Sequence, residues 1–153
     1  MVAQKEIIVQ KIENGIVIDH IPRMASSKVV KILNLYNRFE FYTGINCHSH
    51  KLGRKDFIKI VNGDVCNDEL NKIALVAPGA TAMRIKNFEI VEKIPITVTE
   101  DVINIVKCPN AGCITNQEPY KKTHFLKKSE KPLRIKCKFC ERTFREEELE
   151  FLG

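Results

Sequence analysis

Cys108-Pro-Asn-Ala-Gly-Cys113 and, after a spacer of 23 residues, Cys137-Lys-Phe-Cys140 are the stretches that decide how the last third of the chain folds. The spacing is C-x4-C followed by C-x2-C, two short knuckles that can each direct two sulfurs toward one point. Four thiolates are soft donors that suit Zn²⁺, and a tetrahedral site with four protein ligands leaves no position open for water. The spacing therefore predicts one structural zinc ion per chain, bound by Cys108, Cys113, Cys137 and Cys140.

Disulfide bonding and a redox Cys-x-x-Cys motif are two other uses of such cysteines. The opening Met1-Val-Ala-Gln-Lys-Glu6 has no basic head followed by a long apolar run, so no secretory signal is indicated. A reducing cytosol then favours metal over disulfide. A redox motif needs only the second pair and leaves Cys108 and Cys113 without a role. Cys47 and Cys66 lie far from any knuckle and are expected to be buried or half-buried thiols.

Composition bounds the class of protein. A chain of 153 residues forms one domain or two small ones, and 44% hydrophobic with 29% charged residues is typical of a soluble globular protein. No apolar run approaches the length of a membrane span, so we expect a cytoplasmic protein without a membrane partner. The net charge of +6 suggests an anionic partner, which could be a nucleic acid, a nucleotide or an acidic protein surface.

The region before the knuckles alternates strand and helix patterns. β-Branched residues around the Asn14-Gly15 turn predict extended structure over residues 5–19. The remaining predictions are a helix capped by Ser26 or Ser27, a strand over 39–45, a polar basic loop over 48–55, a strand over 56–60, a helix from Asn67 or Asp68, and two strands over 81–94. The order β, α, β, β, α, β with an added strand is the split βαβ, or ferredoxin-like, pattern of an α+β fold.

A domain boundary is expected in the stretch 94–101, which carries a proline and no helical period. It separates a first domain, residues 1–97, from a second, residues 102–153. A domain of about 50 residues often needs a metal to hold its fold. Short strand patterns over 121–128 and 133–136 predict a small antiparallel β domain of the zinc-ribbon type.

Enzyme motifs are missing from the sequence: there is no G-x-S-x-G, H-E-x-x-H or G-x-x-x-x-G-K-[ST]. A zinc ion closed off by four thiolates cannot activate water, so catalysis is not expected. His48 and His50, in the predicted loop, are expected to be solvated rather than metal ligands. Residues 121–138 hold eight Lys/Arg against one acidic residue, which allows either a nucleic-acid-binding zinc ribbon or a docking surface for an acidic protein.

The first domain also allows a pocket for a small anion. Asp19 and His20 end one predicted strand, Lys59 lies in another, and Lys93 ends the last. Gathered at one edge of a sheet, the lysines would suit phosphates and the carboxylate would suit ribose hydroxyls. From composition alone, four unrelated surface residues are the commoner arrangement.

Five motifs, in order and at similar spacing over nearly the whole chain, resemble the regulatory chain of aspartate carbamoyltransferase. They are Val17-Ile-Asp-His-Ile-Pro22, Gly53-Arg-Lys-Asp-Phe-Ile-Lys-Ile60, Ala77-Pro-Gly-Ala-Thr81, Cys108-Pro-Asn-Ala-Gly-Cys-Ile114 and Cys137-Lys-Phe-Cys-Glu141. The resemblance implies a non-catalytic chain of de novo pyrimidine biosynthesis, with an N-terminal allosteric domain that binds CTP, ATP or UTP and pairs with a second regulatory chain. It also implies that the zinc domain contacts the catalytic chain, in a holoenzyme of two catalytic trimers bridged by three regulatory dimers. Nucleic acid is not among the implied partners.

The resemblance also assigns roles to particular positions. The effector-binding positions it implies are Val9, Gln10, Lys11, Ile12, Asp19, His20, Lys55, Lys59, Ile85, Phe88, Ile90 and Lys93. Of these, Lys55 resembles a position implicated in a second, adjacent nucleotide. The positions implied to face the catalytic chain are Asn110, Glu141 and Arg142. The chain departs from the family pattern at Gln10, where an acidic residue is usual, at Met83, where asparagine is usual, and at Phe88, where tyrosine is usual.

Overall fold

The computed structural model of the protein describes residues 11–50 and 52–152. A five-stranded antiparallel sheet with two helices forms the first part of the fold. Its elements are β1 (Gly15–Pro22), α1 (Ser26–Ile32), β2 (Glu40–Ser49), β3 (Gly53–Val61), α2 (Asn67–Ala74), β4 (Thr81–Lys86) and β5 (Glu89–Pro95). The strand order is β2-β3-β1-β4-β5, which is the split βαβ arrangement with β5 added at the edge. The predicted α+β, ferredoxin-like fold is therefore confirmed.

One face of this sheet is covered by the two helices. In β1, Ile16 and Ile18 are fully buried while Val17 between them is only half-buried, because successive side chains of a strand point to opposite faces. Val29 on α1 and Ile73 on α2 are fully buried as well and belong to the same core. Each such side chain contributes roughly 1.5–3 kcal/mol through burial. The opposite face, which no helix covers, carries the polar positions discussed below.

Smaller antiparallel sheets form the rest of the chain. The elements are β6 (Asp101–Ile103), β7 (Val106–Lys107), α3 (Ile114–Gln117), β8 (His124–Glu130), β9 (Leu133–Cys137), β10 (Thr143–Arg145) and β11 (Glu150–Phe151). One sheet has the order β10-β9-β8-β6, and β11 pairs with β7. Phe125 and Phe144 meet edge to face behind the knuckles, with ring centroids 6.3 Å apart. The predicted small antiparallel β unit is therefore present.

The segment between β5 and β6 is bonded to both parts. The backbone of Ile96 pairs with Ala80, and the Val98 amide donates to the Glu130 carboxylate at 3.0 Å. Ile96 and Val98 are buried, so apolar packing continues through this segment. The domain boundary placed near residues 94–101 stays a prediction. Among the residues described, no helix is long and apolar enough to cross a membrane.

Three local predictions were wrong. Residues 48–55 are not a loop, because β2 extends through Ser49 and β3 begins at Gly53. Helix α1 is not capped by Ser26 or Ser27, since its N-cap is Ala25 and the Ser26 side chain bonds to Asp56 instead. Cys66 is exposed rather than buried.

Two further predictions can be compared with the structure, one of them only over part of its residues. Cys47 is half-buried, as expected. Lys11 and Ile12 precede β1 rather than forming a strand, and the rest of the extended stretch predicted before them lies outside the described residues.

Candidate functional site

The four knuckle cysteines converge on one point. Their sulfurs all lie within 4.8 Å of one another, with Cys108 and Cys140 at 3.7 Å and Cys113 and Cys137 at 3.8 Å. Sulfurs placed tetrahedrally at about 2.3 Å from a zinc ion are about 3.8 Å apart, whereas a disulfide requires about 2.05 Å. The four residues therefore fit a zinc centre with four cysteine ligands. No other group of three or more His, Cys, Asp or Glu among the residues described lies close enough to hold a metal.

Asparagines hold the first knuckle in shape. The Asn110 side chain accepts from the Gly112 amide at 3.1 Å, and its carbonyl accepts from the Cys113 amide at 2.9 Å. The side-chain amide of Asn116 donates to the carbonyls of Cys108 and Asn110. These contacts orient the backbone that carries both sulfurs, which is the role of supporting residues around a metal site.

Titration of the thiols differs across the centre. Burial raises the pKa of Cys108 and of Cys137, because a thiolate is poorly solvated there. Burial also acts to raise the pKa of Cys140, but hydrogen bonds from the Asn110 side chain and the Arg142 backbone outweigh it and lower this pKa to about 7. Bound zinc supplies the positive charge that keeps all four sulfurs as thiolates.

The uncovered face of the five-stranded sheet carries a continuous row of side chains. Strand register places Tyr42 opposite Lys59, Lys59 opposite Val17, Val17 opposite Met83, and Met83 opposite Lys93. Directly opposed residues of antiparallel strands project to the same side, so this row forms one surface, here called the outer sheet face. Three strand spacings of about 4.8 Å separate the backbones of the two lysines by about 14 Å.

Charge is concentrated along β1 and β3 on this face. The Lys55 ammonium lies 2.7 Å from a carboxylate oxygen of Asp19, and both side chains are one-fifth exposed. Burial lowers the pKa of Lys59, Asp19 opposes this, and the nearby Lys11 adds to the lowering. A desolvated ammonium beside a second cation gains from an incoming anion, so the outer sheet face suits a phosphate group.

An apolar patch lies at the end of the outer sheet face, where the chain enters β1. The Phe88 amide donates to the Glu13 carbonyl at 2.9 Å, which brings the β4–β5 turn against the segment containing Lys11 and Ile12. Ile85 and Ile90 are paired across β4 and β5 beside this turn. About half of the Phe88 and Ile90 side chains is exposed, at 57% and 51%. Such a patch next to cations suits a nucleobase beside its phosphates.

Not every predicted effector residue joins this group. His20 lies at an irregularity of β1, with a φ of 58°, and it lines a separate cavity. Its amide still donates to the Asp19 carboxylate at 2.7 Å. Val9 and Gln10 lie outside the described residues. Val17 and Tyr42 belong to the row but were not identified from the sequence, because only the strand register shows that they face Lys59.

The knuckles also present an exposed surface next to the metal centre. Glu141 and Arg142, which follow the last cysteine, are exposed, and Asn110 is half-buried. Around them Ile114, Tyr120 and Phe139 expose large apolar side chains, Tyr120 at 95%. A mixed apolar and charged patch of this kind is typical of a protein–protein interface. The His48 and His50 rings, by contrast, contact each other on the β2–β3 hairpin, at a centroid distance of 5.2 Å.

A ferredoxin-like sheet with a cationic uncovered face, joined to a closed four-cysteine centre, defines a metal-binding protein of the α+β class. Comparison with known proteins identifies the family. Residues 7–97 match the family model of the aspartate carbamoyltransferase regulatory chain, allosteric domain. Residues 100–150 match the model of the same chain's metal binding domain.

Relatives with the same description cover nearly the whole chain. The regulatory chain of Thermococcus sibiricus is 47% identical over 93% of this chain and 94% of its own length. That of Pyrococcus horikoshii is 45% identical over 94% and 96%. That of Vibrio campbellii is 38% identical over 96% and 97%. The chain therefore belongs to the aspartate carbamoyltransferase regulatory chain family, so it is a regulatory and not a catalytic chain, and its C-terminal part is a metal-binding domain.

Proposed function

We propose that the chain binds nucleotide effectors, CTP, ATP or UTP, on the outer sheet face and transmits their effect to the catalytic trimers of aspartate carbamoyltransferase. The row from Lys59 to Lys93, flanked by the Asp19–Lys55 pair, is the observation that supports the nucleotide site. The lysines would bind phosphates, Asp19 the ribose hydroxyls, and the patch around Phe88 the base. Pyrimidine synthesis in the cytoplasm fits a metal site of four thiolates that must stay reduced.

Lys59→Gln tests the nucleotide site. The change removes a charge-assisted bond to phosphate, so we expect CTP and ATP to bind about tenfold or more weakly by calorimetry. Lys93→Gln should act in the same direction. Lys31→Gln, an exposed lysine on α1 at the covered face of the sheet, is the matched control and should leave both affinities unchanged. Unchanged affinity in both Lys59→Gln and Lys93→Gln would contradict the site.

The metal-binding domain would dock on the catalytic chain through the surface around Asn110, Glu141 and Arg142. Their position at the knuckle tips supports this, because the metal centre fixes their backbone. The Glu141 amide donates to the Cys137 carbonyl, and the Cys137 amide donates to the Arg142 carbonyl, each at 2.9 Å. A rigid charged tip next to exposed apolar side chains limits the entropy lost on docking.

A homodimer through the first domain is supported by the edge strand β2. Tyr42 and Ile45 on this strand are about half exposed, and an apolar groove of about 400 Å³ lies between β2 and α1. An exposed edge strand with apolar side chains favours pairing with a second strand. Ile45→Lys should therefore shift the isolated chain toward monomer in sedimentation analysis. Ile90→Lys, on the opposite edge strand, is the control, and a dimer that persists in Ile45→Lys would count against this interface.

The alternative of a nucleic-acid-binding ribbon gains no support from the basic strand. Lys127 is within 3.3 Å of Glu100 and 3.7 Å of Glu130, and His124 lies 2.7 Å from Asp101. These carboxylates offset the charge that phosphate contacts would need. Retardation of DNA or RNA with a steep dependence on salt would restore this alternative.

A further inference from the structure

A second cavity lies where the two parts of the chain meet. It is about 770 Å³ in volume. Its walls are the end of β1 and the start of α1, the Pro78-Gly79 turn, the β8–β9 turn, and residues 146–147. Sites for small organic ligands are typically about 300–1,000 Å³, so the cavity has the size of a metabolite site. It shares none of the residues of the row on the outer sheet face, but it adjoins that face, because its lining residue His20 donates its amide to Asp19.

Cations outnumber carboxylates in the lining of this cavity. Five of them line it: Arg23, Lys28, Arg54, Lys131 and Arg134. Within residues 11–50 and 52–152, no ion pair of 4.0 Å or less engages any of the five, although other surface cations such as Lys55 and Arg84 are paired. Unpaired cations gathered in a concave site create a positive potential that concentrates anions.

The acidic residues of the lining offset this charge only in part, because three carboxylates stand against five cations. Of the three, Glu130 is already engaged, since it accepts from the Val98 amide at 3.0 Å and faces the Lys127 ammonium. Burial raises the pKa of Glu146 and the charge of Lys28 opposes the rise, so Glu146 offsets part of the Lys28 charge. Glu147 is the third.

The Lys131 side chain lies against the backbone of Gly79 at the cavity. Gly79 has a φ of +88°, and a Cβ atom there would lie 2.6 Å from the Lys131 ammonium. The ammonium therefore rests directly on the glycine, so a lysine of the metal-binding part reaches the turn after α2. A ligand bound by Lys131 and Lys28 together would contact both parts of the chain.

The remaining walls suit an organic ligand. Pro22, Met24, Val76 and Leu133 supply apolar surface. His20 also lines the cavity, so its polar groups add to those that a ligand there would meet.

We infer that this cavity between the two parts binds a small organic phosphate, through Lys28 and Lys131 on opposite walls. The site is additional to the proposed nucleotide site and does not depend on it. Because such a ligand bridges the metal-binding part and the sheet, its binding would restrain their relative movement, which is how a bridging ligand biases a conformational equilibrium.

The test uses inorganic pyrophosphate, titrated calorimetrically into the full zinc-loaded chain. Lys28→Gln/Lys131→Gln should weaken binding about tenfold or more, because each lysine supplies a charge-assisted contact. Lys121→Gln/Lys122→Gln, which removes two exposed lysines away from the cavity, is the matched control and should bind normally. Thermal unfolding checks that the variants fold, and Arg23→Gln is the substitute if the double variant does not.

Two results would overturn the inference. One is equal affinity in the cavity variant and its control. The other is pyrophosphate binding lost in Lys59→Gln/Lys93→Gln but retained in the cavity variant, which would place the anion on the outer sheet face. Binding retained in Lys59→Gln/Lys93→Gln and lost in the cavity variant supports the inference, even if CTP and ATP fail to bind anywhere.

Discussion

Asp56 shows how much of the fold depends on single residues. Its side chain is completely buried, and its carboxylate accepts hydrogen bonds from the Ser26 amide at 3.1 Å, the Ser26 hydroxyl at 2.7 Å and the Asn46 amide at 2.8 Å. A buried carboxylate is stable only when its lone pairs are satisfied in this way. Asp56 lies on β3, and its hydrogen bonds connect that strand to the start of α1 and to the irregular part of β2.

Asp56→Asn should lower the free energy of unfolding by about 2–4 kcal/mol. The side-chain amide nitrogen of the new asparagine would face one of the N–H or O–H donors that the carboxylate now accepts from, so that hydrogen bond would be lost. The remaining charge-assisted hydrogen bonds would become neutral and therefore weaker. Urea denaturation followed by circular dichroism measures the loss. Asp68→Asn, on the exposed first turn of α2, should cost no more than about 1 kcal/mol. Equal losses in the two variants would contradict the role given to Asp56.

The same residue predicts a pH dependence of stability. Burial acts to raise the pKa of Asp56, but the hydrogen bonds from Asn46 and Ser26 outweigh it, so the pKa in the folded protein is lowered. Its contribution is complete above the unfolded pKa of about 3.9 and is lost as pH falls through the folded value. Stability should thus decline from about pH 5 downward, and less steeply in Asp56→Asn.

At the scale of elements, strand pairing fixes most of what the site requires. Gly15 begins β1 with a φ of +143°, and a Cβ atom there would lie 2.0 Å from the carbonyl oxygen of Ile60. The β1–β3 pairing that aligns Val17 with Lys59 begins at this glycine. The glycine permits a close approach of two backbones that no other residue allows.

Gly15→Ala should destabilise the protein by about 2–4 kcal/mol, through backbone strain together with the clash against β3. Gly53→Ala is the control, because Gly53 also has a positive φ, of +79°, but nothing lies within 4 Å of its added Cβ. That change should lower the free energy of unfolding only by the backbone strain, about 1–2 kcal/mol. Thermal or urea unfolding compares the two, and a control that is the more destabilised would refute the argument.

Elements differ in how far the sequence determines them. The metal centre follows from cysteine spacing, since each knuckle is local and its geometry depends on a few adjacent residues. The β2–β3 hairpin was missed at 48–55 because its polar residues satisfy no strand pattern, while pairing across the sheet supplies the missing hydrogen bonds. The cap of α1 was predicted wrongly because the Ser26 hydroxyl donates to Asp56, a residue 30 positions away in the sequence.

The outer sheet face could be predicted only in part for the same reason. Asp19, Lys59 and Lys93 were identified as candidates, but which residues stand beside them depends on register between distant strands. The cavity at the meeting of the two parts was beyond sequence reasoning, because its cations come from separate segments of the chain.

For the whole molecule, the proposed regulation requires that a nucleotide on the sheet affect a partner at the knuckles. The path available is short: Ile96 bonds to Ala80 beside β4, and Val98 bonds to Glu130 and Lys127 of β8. A nucleotide can shift the assembly only by its difference in affinity for the two quaternary states, typically about 1–3 kcal/mol.

Cys113→Ala separates the two proposed roles within the intact chain. Loss of one of four zinc ligands removes much of the roughly 10–16 kcal/mol that such an ion can supply to folding, so the knuckle surface should lose its fixed shape. We expect this variant to contain little zinc and to fail to co-purify with catalytic trimers. CTP affinity should change by less than about tenfold, that is about 1.4 kcal/mol, because the row on the outer sheet face is formed by β1, β3, β4 and β5 and includes no residue of the metal-binding part.

Arg142→Glu is the companion variant, because it alters the docking surface while leaving all four cysteines in place. It should keep its zinc and its CTP affinity yet bind catalytic trimers more weakly. A glutamate at this position would be repelled by the groups of the partner that attract the native arginine. Normal co-purification of Cys113→Ala without zinc would refute the idea that the metal shapes the docking surface. Loss of CTP binding in Cys113→Ala would show instead that the two parts unfold together. Buried Ile96 and Val98 connect the cores of the two parts, so this is the specific alternative to independent folding.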